Sequence, residues 1–194
     1  MIEEDRLEIR FCGSGGQGII TAAIVLAEAA GVYDGKYVCQ TQSYGPEARG
    51  GNCKSEVVIS GREIDYPKAS HPVFLLAMNQ ASCDTYFSDL KPTGLLIVDA
   101  ALVKKIPTGR VVAIPFTQIA RQQIGREVVG NMVALGAVGY LCKAVSPESL
   151  EEAVAARVPA GTEDINLRAL RAGFEAAKKF DLDNLPEFIR EEDE

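Results

Sequence analysis

Histidine is almost missing from these 194 residues: His71, followed by Pro72, is the single one. That excludes multi-histidine metal sites and leaves a Ser-His-Asp triad little to build on. Five cysteines are present (Cys12, Cys39, Cys53, Cys83 and Cys142), but they are widely spaced and never form a C-x-x-C pair. No local pattern among them suits an iron–sulfur cluster, and most are expected to serve as small buried hydrophobes. No apolar run is long enough to span a bilayer, and the opening Met1-Ile2-Glu3-Glu4-Asp5 is acidic where a signal peptide is basic. The expectation is a cytoplasmic protein with no membrane contact. Basic excess is also absent: the formal net charge is −7, and a nucleic-acid surface needs clustered Lys and Arg.

What is present is an ordinary globular composition, 47% hydrophobic and 24% charged, in a chain long enough to bury one core without disulfides or metals. Residues 1–180 are read as a single domain and residues 181–194 as an acidic C-terminal tail, frayed and solvated. Residues 6–14 suggest a strand running into a glycine loop, and residues 19–30 a helix. Residues 36–41 are rich in strand formers. Residues 42–51 are too dense in Gly and Pro for a regular element. Residues 52–60 alternate polar and apolar and lead through a turn into residues 63–67, and together these form a β-excursion after the second strand. Residues 73–78 and 94–99 are continuous apolar runs, the mark of strands buried on both faces of a parallel sheet, with a crossover helix over residues 80–90 between them. Residues 110–115 make a further strand. Helices are expected over residues 117–124, 131–144, 147–157 and 163–180, with Ser146 as the N-cap of the third of these. The second carries Met132, Leu135, Val138, Gly139 and Leu141, a surface for close packing against the sheet or another chain. The fold class is therefore α/β: a Rossmann-like, mostly parallel sheet with flanking helices and a β-excursion after the second strand.

The strongest local signal is Gly13-Ser14-Gly15-Gly16-Gln17-Gly18, a G-x-G-x-x-G loop between a strand and a helix. Gly13 is expected to permit the turn off the strand, Gly15 the close approach of a backbone or an anion, and Gly18 the packing of helix on strand. Gln17 falls at the helix start, where free N–H groups and the positive end of the dipole suit a phosphate or carboxylate. The other reading of the same glycines is that they only allow close helix-on-sheet packing. A dinucleotide site also needs an acid about 20 residues on to take the ribose hydroxyls, and the second strand ends in Gln40, Thr41 and Gln42, with Asp34 at its wrong end. NAD is not expected.

A second loop, Tyr44-Gly45-Pro46-Glu47-Ala48-Arg49-Gly50-Gly51, sets a planar cation beside bare backbone. Arg49 suits a carboxylate or phosphate, or an internal pair with Glu47 or Glu56. Asp99, at a strand's C-terminal end, either faces a ligand or caps the next segment, and Asn131 reads as a helix N-cap. Lys104 and Lys105 read as a solvated face.

Taken together, residues 13–18, residues 40–51, Ser55-Glu56-Val57-Val58-Ile59-Ser60 and Asn131-Met132-Val133-Ala134-Leu135-Gly136 strongly resemble the gamma subunit of 2-oxoacid:ferredoxin oxidoreductases. The resemblance covers about residues 6–171 and is nearest the 2-oxoglutarate type, with the pyruvate and branched-chain types next. It implies a multisubunit enzyme that decarboxylates a 2-oxoacid on thiamine diphosphate, passes electrons through [4Fe-4S] clusters to ferredoxin and hands the acyl group to coenzyme A. Thiamine diphosphate, its Mg and the clusters are then expected on alpha, beta and delta partners. This chain would hold no catalytic residue, bind no cofactor alone and act as a scaffold. Its candidate contacts with coenzyme A or a partner are Gly13, Ser14, Gly15, Gly16, Gln17, Gly18 and Arg49. The alternatives are a free-standing nucleotide-binding module or the homologous indolepyruvate-type subunit.

Overall fold

The computed structural model describes residues 6–44 and 52–186. The 45–51 loop with Arg49, the first five residues and the acidic stretch 187–194 lie outside the described residues.

One six-stranded sheet organises the chain, with strands β1 (Arg6–Ser14), β2 (Tyr37–Tyr44), β3 (Asn52–Ser60), β4 (Phe74–Ala77), β5 (Leu95–Asp99) and β6 (Val111–Ile114) in the order β2-β3-β1-β4-β5-β6. β1, β4, β5 and β6 pair in parallel, with β4 and β5 buried at every position, as their unbroken apolar runs require. The excursion does not leave this sheet. β3 pairs antiparallel with both β2 and β1 and so stands between the first two strands. β2 also runs three residues past its expected end, to Tyr44, because Gln42, Ser43 and Tyr44 find partners in Ser55, Lys54 and Cys53. Residues 63–67, expected as strand, form no regular element; all but Ile64 are exposed, so no buried face draws them into the sheet.

Helix α1 (Ile19–Glu28) follows β1 and ends in a π turn, Ala29–Tyr33. α2 (Gln80–Tyr86) is the crossover between β4 and β5; Asn79 caps it by accepting from the Ser82 N–H at 2.7 Å, and a 3-10 turn, Phe87–Asp89, finishes it. α3 (Phe116–Ile119) runs into a second π turn, Ala120–Ile124. α4 (Gly130–Cys142), α5 (Pro147–Arg157) and α6 (Glu163–Ala177) complete the chain of helices, and Ser146 caps α5 as its sequence requires, its hydroxyl accepting from the Ser149 N–H at 3.1 Å.

The helices load the two faces of the sheet unequally. Ile9, Phe11, Val57, Leu76, Ile97 and Val112 point into a large core built with α1, α4, α5 and α6. Alternate residues of the same strands, among them Cys12, Leu75, Leu96 and Val98, meet α2 in a smaller one. α4 has no side-chain cap, yet Met132, Val133, Leu135 and Val138 are all buried. Each contributes about 1.5–3 kcal/mol against about 1 kcal/mol for a cap, so burial holds this helix. Its partner is α6: a Cβ on Gly136 would lie 2.0 Å from the Leu170 carbonyl oxygen, and one on Gly173 2.0 Å from that of Val133. The two backbones touch.

Candidate functional site

The parallel strands and β2 all end on one side of the sheet, where open α/β sheets bind ligands. Ser14 pairs with Asn52 and Tyr44 with Cys53, so the end of β2, the start of β3 and the start of the glycine loop lie side by side.

Within the loop the glycines divide their work differently from the expectation. The turn itself rests on Gly16 and Gly18, at φ 95° and 70°, values that glycine adopts freely and other residues rarely. Gly13 lies inside β1 and serves closeness: a Cβ there would meet Gln17 Oε1 at 2.7 Å and Ile19 at 3.1 Å. Gly18 faces α4 rather than the strand, since its Cβ would strike the Asn131 amide at 2.5 Å. Asn131 is not an N-cap. α4 starts one residue earlier, at Gly130, and the Asn131 side chain donates from Nδ2 to the Gly18 carbonyl at 3.1 Å, locking α4 to the loop.

Ser14 and Gln17 turn inward. The Ser14 N–H donates to Gln17 Oε1 at 2.7 Å, Gln17 Nε2 donates to the Met78 carbonyl at 3.0 Å, and Asn79 Nδ2 donates to the Ser14 hydroxyl. One donor that a phosphate loop offers its ligand is here held by the chain's own glutamine. The start of α1 keeps its outward character: Gly18 supplies no side-chain cap and no acid occupies the first turn, which leaves the first N–H groups for a partner from outside.

Beside the loop opens a cleft of about 310 Å³. Gly16 and Gln17 of the loop line it together with Met78, Leu102, Thr117 and the Glu127–Asn131 segment. Leu102 and Val128 are exposed, apolar and at its mouth. Glu127 stands on a 3-10 turn before α4 and is paired with Arg121, Nε to Oε2 at 2.9 Å. The cleft residues Met78, Leu102, Glu127 and Val128 carry no motif, and only the non-local packing of α4 and the β5–β6 connection on the loop collects them. Asp99 is not among them. It is fully buried, with Oδ1 accepting from the Ala101 N–H and Oδ2 from the Thr117 N–H, each at 2.9 Å, so it caps the following segment. Lys104 and Lys105 are exposed, their N–H groups held by Gln80 Oε1 at 2.8 and 2.9 Å.

The other face of β1 and β3 holds a buried ion cluster. Arg10 and Glu56 are register partners, and Arg10 Nε donates to Glu56 Oε1 at 2.9 Å. Lys54 Nζ reaches the same oxygen at 2.9 Å, Arg10 also pairs with Asp89, and the Tyr86 ring lies 5.6 Å from Arg10 Cζ. The alternation along β3 is therefore real, but its polar side faces protein instead of water.

Residues 8–176 match the model of the pyruvate ferredoxin/flavodoxin oxidoreductase family. The chain belongs to that family, as a gamma-type subunit. It is 49% identical over 178 residues to the 2-oxoglutarate synthase subunit KorC of Methanocaldococcus jannaschii, an alignment covering 90% of this chain and 95% of that one. To the pyruvate synthase subunit PorC of Methanothermobacter marburgensis it is 33% identical, covering 89% of this chain and 98% of that one. The crystal structure of a keto/oxoacid ferredoxin oxidoreductase gamma subunit from Geobacter sulfurreducens superposes with a TM-score of 0.80 at 48% identity, over 90% of this chain and 99% of that chain. The gap between 49% and 33% places this gamma subunit with the 2-oxoglutarate type.

Among the described residues no three of His, Cys, Asp and Glu converge on one point. Cys12, Cys53 and Cys83 are buried, and loss of solvent is the first cause that pushes all three thiols up, Cys83 to about 11. No helix among the described residues is long and apolar enough to cross a membrane.

Proposed function

We propose that this chain is the gamma subunit of a 2-oxoglutarate:ferredoxin oxidoreductase built with alpha, beta and delta partners. The assembly takes 2-oxoglutarate, coenzyme A and two oxidised ferredoxins to the acyl-CoA, carbon dioxide, two reduced ferredoxins and a proton. Thiamine diphosphate, Mg and the [4Fe-4S] clusters reside on the partners, and ferredoxin docks on the assembly. The gamma subunit contributes no catalytic residue. It closes the assembly and offers residues 13–18 to coenzyme A or to a partner, with Arg49 as a second, charged contact.

The observation that carries this reading is similarity running nearly end to end, at 49% to a 2-oxoglutarate synthase subunit covered over 95% of its length. The inward-turned Ser14 and Gln17 refine the site part: contact with an anion falls to the α1 start and to Arg49. The test is copurification of the complex through a tagged copy of this chain, followed by assay with a panel of 2-oxoacids. Coenzyme A-dependent ferredoxin reduction fastest with 2-oxoglutarate, and none from this chain alone, is the expected result. A complex that prefers pyruvate, or turnover by this chain alone, overturns the reading.

A further inference from the structure

β2 is the long edge of the sheet, and its backbone is open. The Val73 and Met78 N–H groups donate to the Glu8 and Cys12 carbonyls, so on β1 Glu8, Arg10 and Cys12 bond toward β4, and Ile9 and Phe11 toward β3. The register carries this alternation across the sheet: Lys54, Glu56 and Val58 bond toward β2, and their partners Ser43, Thr41 and Cys39 bond back. The N–H and C=O groups of Val38, Gln40, Gln42 and Tyr44 therefore point away from the sheet, and no described residue takes them up.

An open edge is a template for another strand, and folded proteins guard theirs with charge, proline, a bulge or brevity. β6, the opposite edge, is guarded: it is four residues long, Pro115 ends it, and Pro186 lies against Gly109 just ahead of it. β2 has none of these devices. Its eight residues include neither a charge nor a proline, and its pairing with β3 runs unbroken over all eight. Where it begins, the π turn leaves Val32 73% exposed, with Tyr33 and Tyr37 exposed close by in the chain, and tyrosine is among the residues that anchor interfaces.

Two properties of β2 select its occupant. The four open residues are spaced evenly about Thr41, so an identical strand turned about a two-fold axis at Thr41 meets every open donor and acceptor. Gln40 then faces Gln42 of the second copy and Val38 faces Tyr44, for about eight backbone hydrogen bonds in all. The intervening pairs, Thr41 with its own copy and Cys39 with Ser43, are neutral too, so no like charges stand opposite one another, the arrangement that would break such a pairing. An edge that takes a different chain is commonly marked by charge that selects it; β2 carries none.

We propose that β2 of one copy pairs antiparallel with β2 of a second copy, joining two six-stranded sheets into one. Growth stops at two copies, because only the short, guarded β6 edges remain outside. The two-fold axis sends the glycine loops to opposite ends of the joined sheet, so each copy keeps its loop free for its own contacts. The pairing depends on the sheet alone and not on the oxidoreductase reading.

The experiment is a cysteine trap with Ser43→Cys, an exposed position whose Cα the two-fold pairing sets about 4.5 Å from that of native Cys39 in the second copy, within disulfide reach. In the full chain, and in the complex purified through it, oxidised glutathione is expected to link two copies of this chain, and the link to vanish when Cys39→Ser is added. Gln42→Pro removes an open N–H at a place where an edge strand tolerates proline, and sedimentation is expected to show self-association weakened about tenfold or more. A melting curve shows whether that variant is folded; if it is not, the trap decides alone. A single copy of this chain per particle on the order of tens of micromolar, no cross-link, a cross-link to a different subunit, or unchanged self-association in folded Gln42→Pro overturns the proposal. A complex that turns over 2-oxoglutarate while holding one copy of this chain leaves the functional reading standing, so the two failures are separable.

Discussion

The two faces of the sheet solve the same problem by opposite means. On the α1, α4 and α6 face, elements approach until backbones touch, and glycine is the device: Gly136 and Gly173 each leave a neighbouring carbonyl 2.0 Å from where a Cβ would stand. On the α2 face a smaller apolar cluster is completed by charge, with Arg10 and Glu56 3% and 7% exposed and Lys54, Asp89 and Tyr86 around them. The first arrangement is intolerant of added volume. The second is intolerant of lost charge, because a buried ion left without its partner costs far more than the pair contributes. Close packing and ionic completion thus sit one strand thickness apart.

Removing one charge tests that contrast most severely. Arg10→Ala leaves Glu56 with only Lys54 and the Thr41 hydroxyl and empties the Ala69 carbonyl of its donor at 2.9 Å, and a loss of about 3–5 kcal/mol in denaturant unfolding is expected. Replacing Arg10 and Glu56 together by Met and Leu is expected to recover most of it. If the single and double variants are equally unstable, the cluster matters through shape and the contrast between the faces fails.

Gly136→Ala adds one methyl to the other face. The Leu170 carbonyl is backbone and has no rotamer to yield, so α6 must move, at an expected cost of about 3 kcal/mol. Gly125→Ala is the control: it too is a glycine, at φ 86° with nothing within 4 Å of its Cβ position, and its cost is limited to the αL penalty of about 1–2 kcal/mol. Equal losses at both positions would mean that conformation, not contact, is what glycine supplies between α4 and α6.

The smallest effect belongs to a charged device at the rim of the helical face. Asp34, just past the α1 turn, accepts from the Ser146 N–H at 2.9 Å and from the Ser146 and Ser149 hydroxyls at the start of α5. Burial pulls its carboxyl up, but these bonds and the charge of Lys36 outweigh it and hold the pKa below 3.8. A carboxyl depressed in the folded state stabilises above its unfolded pKa and loses that contribution as pH falls through the folded value. Asp34→Asn is therefore expected to cost about 1 kcal/mol at pH 7, with melting curves of variant and wild type converging as the pH is taken below 3.8. A gap that persists in acid would show that Asp34 acts through geometry and not through its charge.

Much of this was legible in the residues alone, because periodicity and capping are local. The apolar runs of β4 and β5, the Ser146 cap and the glycine loop all lie in contiguous stretches, and the motifs together identified the family. Interactions between distant residues decided the rest. Nothing in residues 52–60 by themselves reveals that β3 stands between β1 and β2, since either strand of a hairpin can take the inner place. The alternation of Lys54 and Glu56 signals two faces, but only the arrival of Arg10 and Asp89 makes the polar face a buried one. Asn131 looked like a cap because a cap is a local event, whereas its partner, the Gly18 carbonyl, is 113 residues away. Glu127 reaches the cleft for the same reason. Sequence determined which elements form and to which family the chain belongs; tertiary packing determined which of their side chains meet, because proximity across a folded sheet is set by pairing and burial rather than by order along the chain.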